Sequence, residues 1–459
     1  MNETILAIDI GSTKISAIIA DINSGKVQVL GHGISQSQGI KKGTITNIEL
    51  AAKSIKNAVN DAKRVSGANI SSAIVTISNV YAKSISSSGI VNLPNNEITI
   101  KEINRVMQTA LYNAKIPDEY ETIHVLPYNF TVDEQDFVED PFGMNASRLE
   151  VNVNIIMTQK SNLSNLKKAV RSAGVDIDAM VLSGYSSAIA VTTPEDKSRG
   201  VAVIDLGGQT SNLVVHVGNS IRYNDFLGVG SNHITNDLSM ALHTPLNIAE
   251  KLKISYSDLI NYTNEIIKLP IIGDEENTND VSLETIYNVM FARVEETLMI
   301  LAKSLEKSNL AEQLNAGIIL TGGMTKMKGI KELSQSIFNG IPIRIAQAPQ
   351  IDGLFDELKE PSFSASIGLL LYKAGYHTPY EIDFQQQLLH TKEEYKDDLS
   401  DIQLSLDNER KHSVSNNDIQ LADEHLVQND DIRFDELPDL NSENNGMMKK
   451  ISNWAKHLF

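Results

Sequence analysis

The chain has 459 residues, with 58 Asp and Glu against 40 Lys and Arg, and no cysteine. That length suffices for about two to four domains with cores of their own. The net charge of −18 speaks against sequence-independent nucleic-acid binding, which draws its affinity from Lys and Arg on phosphates, and the absence of thiols excludes disulfides and cysteine-ligated metals.

The predicted elements begin with a hairpin-like strand set, Ile5–Ile10, Ile15–Asp21 and Val27–His32, with a turn at Asn23-Ser24-Gly25. From Ile48 to Val65 the apolar residues fall at helical spacing, and Gly67 is the expected stop. Ala73–Val80 reads as a strand. Thr99 with Glu102 is a capping-box pattern that opens a helix to about Lys115. Extended segments follow at Thr122–Val132 and Val151–Thr158, so residues 84–161 read as a small α+β insert. Later helices are expected at about 245–254 and 284–308. Thr244-Pro245 reads as an N-cap hydroxyl followed by proline at the first helical position. Met1-Asn2-Glu3 leads directly into the first strand without a basic leader, and no apolar run reaches the roughly 18 residues of a spanning helix. We therefore expect a cytoplasmic chain.

Three glycine-punctuated segments stand far apart in a fixed order. They are Asp9-Ile10-Gly11-Ser12-Thr13-Lys14, Asp205-Leu206-Gly207-Gly208-Gln209-Thr210-Ser211, and Thr321-Gly322-Gly323-Met324. Each follows an apolar run suited to a buried strand, and a strand entering a glycine turn brings backbone N–H groups close to a phosphate. Gly11, Ser12, Thr13 and Lys14 offer N–H groups, two hydroxyls and an ammonium to terminal phosphates, with Gly207, Gly208, Gln209, Thr210 and Ser211 as a second clamp. Asp9 and Asp205 suit the water shell of a Mg²⁺ ion. Glu250 and Lys253 are three apart on one helix face, positioned to bond ribose hydroxyls and flank a base. Asn236, just before that helix, is a further candidate, and Gly322, Gly323 and Met324 let the backbone pass an adenosine closely.

After about residue 385 the composition changes. Residues 384–446 carry 16 acidic and 5 basic side chains and few aromatics. This reads as a disordered acidic linker, 386–446, with a coil reach of about 40–50 Å. The segment 447–459 then places Met447, Met448, Ile451, Trp454, Ala455, Leu458 and Phe459 on one helical face and Lys449, Lys450 and Lys456 on the other. A basic amphipathic helix with Trp and Phe on its apolar side suits a membrane interface. Each lysine contributes about 1 kcal/mol near anionic lipid, so one copy binds weakly and many copies on a polymer bind through avidity.

The three segments resemble the phosphate and adenosine loops of the actin, Hsp70 and sugar-kinase superfamily. Within it the chain is similar to the FtsA family, actin-like cell-division proteins of bacteria. The likeness rests on the first two segments, Ile234-Thr235-Asn236-Asp237, Thr244-Pro245 with Ala249-Glu250-Lys251-Leu252-Lys253, and Gly322-Gly323. It also rests on Ile123-His124-Val125-Leu126-Pro127-Tyr128 and Asp140-Pro141-Phe142-Gly143-Met144 in the insert. The resemblance implies an α/β, actin-like (duplicated ribonuclease H-like) ATPase fold. Its first large subdomain is 1–83 with 162–195 and 361–385, and its insert subdomain 84–161. The second large subdomain is 196–225 with 301–360, and a smaller one is 226–300. The resemblance also implies ATP with Mg²⁺ in the central cleft, polymers of the chain itself, and a link between the tubulin-like FtsZ ring and the inner face of the cell membrane at the septum. The FtsZ C-terminal tail is then expected on 226–300, and later division proteins on the insert.

Two departures bear on chemistry. The family's second loop commonly ends Gly-Gly-Gly-Thr-Thr-Asp, whereas Gly208-Gln209-Thr210-Ser211-Asn212 puts an amide where a carboxylate would stand. Ser183-Gly184-Tyr185-Ser186-Ser187-Ala188 lacks the Glu-Pro of many relatives. Both favour ATP binding with slow or polymer-dependent turnover, and no catalytic base is identified. The rival readings are a metabolite kinase, an Hsp70-type chaperone, a pilus-type actin-like assembly protein and a free cytoskeletal filament protein. The first lacks use for a lipid helix, and the second requires a β-rich domain after 385.

Overall fold

The computed structural model describes residues 2–390 apart from 219 and 262. The expected linker from 391 onward and the helix 447–459 lie outside the described residues.

Two five-stranded sheets share one topology. In the first, Asn2–Ile10, Lys14–Asn23 and Lys26–Gln36 form an antiparallel meander, and Ser72–Ile77 and Asp176–Leu182 extend it in parallel on the side of Asn2–Ile10. In the second, Val201–Leu206, Ser211–Val217 and Ser220–Leu227 form the meander, and Ile318–Thr321 and Ile343–Ile345 are the parallel extension. This is the duplication implied by the sequence resemblance. In each half the first hairpin turn is a glycine loop: a Cβ at Gly11 would lie 2.7 Å from the Lys14 carbonyl oxygen, and one at Gly207 2.8 Å from that of Thr210. The same turn geometry therefore demands glycine twice.

Helices Ser183–Val191 and Ser364–Leu371 lie between the sheets. Both are almost wholly buried, which fits their apolar and small residues all round. They cross where Gly368 meets the Ser186 carbonyl; a Cβ there would lie 1.8 Å from that oxygen. Helix Ile48–Ser66 packs its Ala51, Ile55, Ala58, Val59 and Ala62 stripe on the first sheet and stops at Gly67, whose φ of 70° only glycine adopts freely.

The insert is a four-stranded sheet built from Ala82–Asn92, Arg148–Gln159, Tyr120–Val132 and Gln135–Val138 in that spatial order, covered by helix Ile100–Asn113. The expected capping box fails in detail. Thr99 is the N-cap, but its hydroxyl bonds the Glu102 carboxylate rather than a backbone N–H. The strand expected over Ala73–Val80 ends at Ile77 and passes into a single 3₁₀ turn at Asn79–Tyr81.

The described chain also stays ordered past the expected linker start at 386. Ile382 pairs with Val125 and with Leu388, and the Leu389 N–H donates to the Glu381 carbonyl. Leu388 is buried, so residues 377–390 form a strap on the insert. Beneath it the carboxylate of Glu381, fully buried, accepts hydrogen bonds from His124 Nδ1 at 2.6 Å, Tyr185 at 2.9 Å and Tyr372 at 2.8 Å. His124 Nε2 in turn accepts the Leu182 N–H. One carboxylate thereby ties together the insert, the helix between the sheets and the strap.

The boundary placed at residue 300 falls inside one continuous helix, Leu283–Lys307, which serves both the second sheet's core and the smaller region beside it. That region also contains helices Ser231–Ala241 and Leu246–Ser255 and the hairpin Ile266–Ile271 with Asp274–Ser282.

Candidate functional site: a cleft between two glycine loops

The two hairpin loops face one another across a cavity of about 580 Å³, well within the range of small-molecule sites. Its walls include Asp9, Gly11, Ser12, Thr13, Lys14, Asp205, Gly207, Gly208, Gln209, Thr210, Glu250, Lys253, Gly322, Gly323 and Met324. Of the residues expected from the sequence, only two do not line it. Asn236 lies exposed on the outer side of its helix, and the buried Ser211 hydroxyl donates to the Val229 carbonyl oxygen at 2.8 Å.

The loops approach closely. A Cβ at Gly208 would lie 1.8 Å from Thr13 Oγ1, so only glycine fits there. The N–H groups of Ser231 and Asn232 donate to the Gly207 and Gly208 carbonyls at 3.0 and 2.7 Å, which seats the start of helix Ser231–Ala241 on the second loop.

Asp9 and Asp205 sit at the ends of the two equivalent strands, both at the cleft. Burial raises the Asp9 carboxyl above the usual carboxylate range and pushes Asp205 up to about 6, with the charge of Asp9 adding to the effect on Asp205. Thr76 Oγ1 donates to Asp9 at 2.9 Å and Ser187 Oγ to Asp205 at 2.5 Å, fixing both side chains. Asn212, directly opposite Asp205 across the strand pair, lines the cavity; its buried Oδ1 has no partner among the described residues. Among those residues no group of three His, Cys, Asp or Glu could hold a metal directly. A pair of buried carboxylates with elevated pKa values fits a cation held through water, because a nearby positive charge would offset the desolvation that raises them.

Lys14 reaches across the floor of the cleft. Its Nζ donates to Ser362 Oγ at 3.0 Å and stands 3.1 Å from the centroid of the Phe363 ring. Burial lowers this ammonium to about 8. Nearby, Lys326 pairs with Glu360, whose carboxyl is thereby held below its usual range.

At the other end Lys253 is spent inside the protein. Its Nζ donates to Glu250 Oε2 at 2.7 Å, to Thr235 Oγ1 at 2.9 Å and to the Ser231 carbonyl at 3.3 Å. It therefore positions Glu250. Thr235 also donates to Glu250 Oε2, at 2.5 Å. The helix carrying Glu250 does not start as expected. Pro245 is the N-cap of Leu246–Ser255, and the Thr244 hydroxyl donates instead to the Pro270 carbonyl at 2.9 Å.

Sequence reasoning missed Thr76, Ser187, Thr235 and Ser362. Each acts through a partner between 15 and 348 residues away, and a lone Ser or Thr has no spacing that announces this. Ser187 lay inside a segment already marked as unusual.

Two family profiles match this chain: "SHS2 domain inserted in FTSA" over residues 80–157 and "Cell division protein FtsA" over residues 202–368. Similar curated proteins include the cell division protein FtsA of Helicobacter pylori, 39% identical over 413 residues, covering 83% of this chain and 84% of that one. The FtsA of Pseudomonas aeruginosa is 33% identical over 80% of this chain and 88% of its own. Among solved structures the fold is similar to a PilM-PilN type IV pilus biogenesis complex (TM-score 0.57, 17% identity, 81% of this chain and 98% of that one). It is also similar to MreB5 of Spiroplasma citri bound to ADP (TM-score 0.50, 15% identity, 80% and 95%). These two likenesses concern the fold. With the duplicated fold, the insert profile and relatives matched over most of their length, the chain belongs to the FtsA family of cell-division proteins.

Proposed function

We propose that this chain binds ATP with Mg²⁺ in the cleft, polymerises, and tethers the FtsZ ring to the inner face of the cytoplasmic membrane while helping to recruit later division proteins. The observation that carries the nucleotide part is the convergence of two equivalent glycine loops, one lysine and two buried carboxylates on a single cavity. Gly11–Lys14 and Gly207–Thr210 would take the phosphates, and Asp9 and Asp205 the water shell of the metal. Glu250 would take ribose hydroxyls, and Gly322, Gly323 and Met324 would border the adenosine. Bound Mg²⁺ would neutralise phosphate charge. The amide of Asn212, where the family's loop commonly carries a carboxylate, suits slow or polymer-dependent hydrolysis.

Lys14 makes this testable by pH. A lysine at about 8 is largely charged at pH 7 and about nine-tenths neutral at pH 9. Phosphate binding favours the charged form, so ATP affinity measured by calorimetry should fall about tenfold from pH 7 to pH 9. Lys14→Met should weaken binding by about 1.5–3 kcal/mol and abolish that slope. A wild-type protein with no measurable affinity for Mg-ATP would end the nucleotide reading.

The remaining parts rest on other regions. Residues 226–300 expose Met240, Leu246, Ile260, Ile266 and Ile272, apolar side chains that would suit the FtsZ C-terminal tail. The insert exposes Tyr112 and Phe137 and would meet neighbouring copies and later division proteins. Residues 447–459 would lie on lipid. Liposome co-sedimentation of the full chain should carry an FtsZ C-terminal peptide to the membrane, and the 1–446 truncation should leave it in solution with ATP binding intact. Equal lipid binding by both forms would overturn the membrane assignment and favour the pilus-type or free-filament reading.

A further inference from the structure

We propose that Gln209 is a positioning residue that couples the terminal phosphate of the bound nucleotide to the Lys41–Gly43 turn and so latches the two halves of the cleft. Residues 41–43 join two short strands, Ile40–Lys41 and Thr44–Ile45, that project from the first half. Gln209 belongs to the second half's loop. Its Oε1 accepts the Lys42 N–H at 2.9 Å, and its Nε2 donates to the Ser12 carbonyl at 3.4 Å. Ser12 Oγ in turn accepts the Gly43 N–H at 2.7 Å. One carboxamide thus grips both the first phosphate loop and the turn behind it.

The turn is seated where side chains would not fit. A Cβ at Gly43 would lie 2.0 Å from Ser78 Oγ, and Gly43 has a φ of 78°. Beyond it the Lys42 stem reaches the second half, with Cδ 3.5 Å from where a Cβ on Gly228 would stand. The Lys42 charge also helps depress the His233 pKa, below the main effect of burial. The turn therefore approaches the second half at Gln209, at Gly228 and beside Thr210.

The cavity has chemically distinct walls. Ser12, Ser78 and Gln209 bring polar side chains to the lining, whereas Ile254, Met324 and Met327 bring apolar ones. A nucleotide with its base against the apolar wall directs its phosphates toward Gln209. The terminal group would then hold the two loops together and with them the carboxamide contacts. A diphosphate, one group shorter, would leave the latch free to open. Ligands shift such an equilibrium only through contacts that differ between its states, and Gln209 supplies such a contact. Gln209 is also a departure from the family's usual loop, where glycine commonly stands and no side chain could reach the turn.

The proposal rests on the nucleotide reading, and the test separates the two. Amide hydrogen exchange over residues 40–46 of the full chain would be followed with Mg²⁺ alone, Mg-ADP and a non-hydrolysable Mg-ATP analogue, beside calorimetric affinities. In the wild type, exchange at residues 42–43 should slow about tenfold more with the triphosphate than with the diphosphate. Gln209→Ala should erase this difference and speed triphosphate release about tenfold, or about 1.4 kcal/mol. Gln209→Glu keeps the acceptor for the Lys42 N–H and adds a charge facing the terminal phosphate. It should keep the protection seen with Mg²⁺ alone but lose triphosphate affinity more than tenfold. A merely structural role would move none of these differences between nucleotides. If the wild type binds neither nucleotide, the nucleotide reading falls and takes the latch with it. If it binds both and Gln209→Ala leaves their difference in exchange intact, the latch alone is overturned.

Discussion

Asp205→Asn should make the ligand-free protein more stable and its nucleotide site worse. Asp205 is pushed up to about 6 in the fold, chiefly by burial, while an unfolded aspartate titrates near 3.9. Between those values the native state holds a proton that the unfolded state has lost, so stability falls as pH rises through this window. Above pH 6 the full cost is present, about 3 kcal/mol for a shift of roughly two units. An amide at 205 carries no charge and can still accept the Ser187 hydroxyl. Denaturant unfolding at pH 7.5 should therefore show the variant more stable by up to about 3 kcal/mol, with the gain gone at pH 4. Affinity for Mg-ATP should drop at least about tenfold, whereas affinity for ATP in EDTA should change far less. A variant no more stable than wild type at pH 7.5 would mean that the carboxylate is not strained by burial.

The second large effect belongs to Glu381. Replacing it by alanine leaves the ring N–H of His124 and the hydroxyl of Tyr372 buried without their acceptor, and removes one partner of Tyr185. Breaking a buried hydrogen-bonded charge from one side costs about 3–5 kcal/mol. Because this carboxylate ties the strap 377–390 to His124 and Tyr185, the loss should appear there first. Limited proteolysis should cut the Glu381→Ala strap at protease levels that leave the wild type whole, and denaturant unfolding should show a loss of about 3–5 kcal/mol. Glu381→Gln keeps an acceptor oxygen and should lose much less. Unchanged strap cleavage in the alanine variant would show that the strap's other contacts, the backbone pairs and the Tyr380–Asp140 hydrogen bond among them, hold it.

These two residues mark what was and was not legible. Asp205 stood in a glycine-punctuated segment whose strand, turn and carboxylate are consecutive in the chain, so its place at the cleft could be read directly. Glu381 had no such context. It lay at the edge of a stretch whose composition suggested a linker, and its partners His124 and Tyr185 are 257 and 196 residues away. The two hydroxyl caps expected at helix starts did not form, for a related reason. Thr99 and Thr244 each have an oxygen able to bond a helix start. In the fold the Thr99 hydroxyl goes to Glu102 and the Thr244 hydroxyl to Pro270, and the sequence does not rank such competing partners.

By itself the sequence determined the strand-and-turn segments, the apolar helix stripes and the order of the three loops, all of which follow from local backbone geometry and periodicity. The duplicated architecture came with the family resemblance that those segments carry. Only the tertiary structure decided which hydroxyls steer Asp9, Asp205 and Lys14, that Lys253 is spent on Glu250, that Asn236 faces away, and that Gln209 bridges the cleft. Those outcomes depend on which distant groups burial brings within about 3 Å of one another. Hydrogen bonding is short-ranged and directional, so a residue's role there is set by its neighbours in space rather than by its neighbours in the chain.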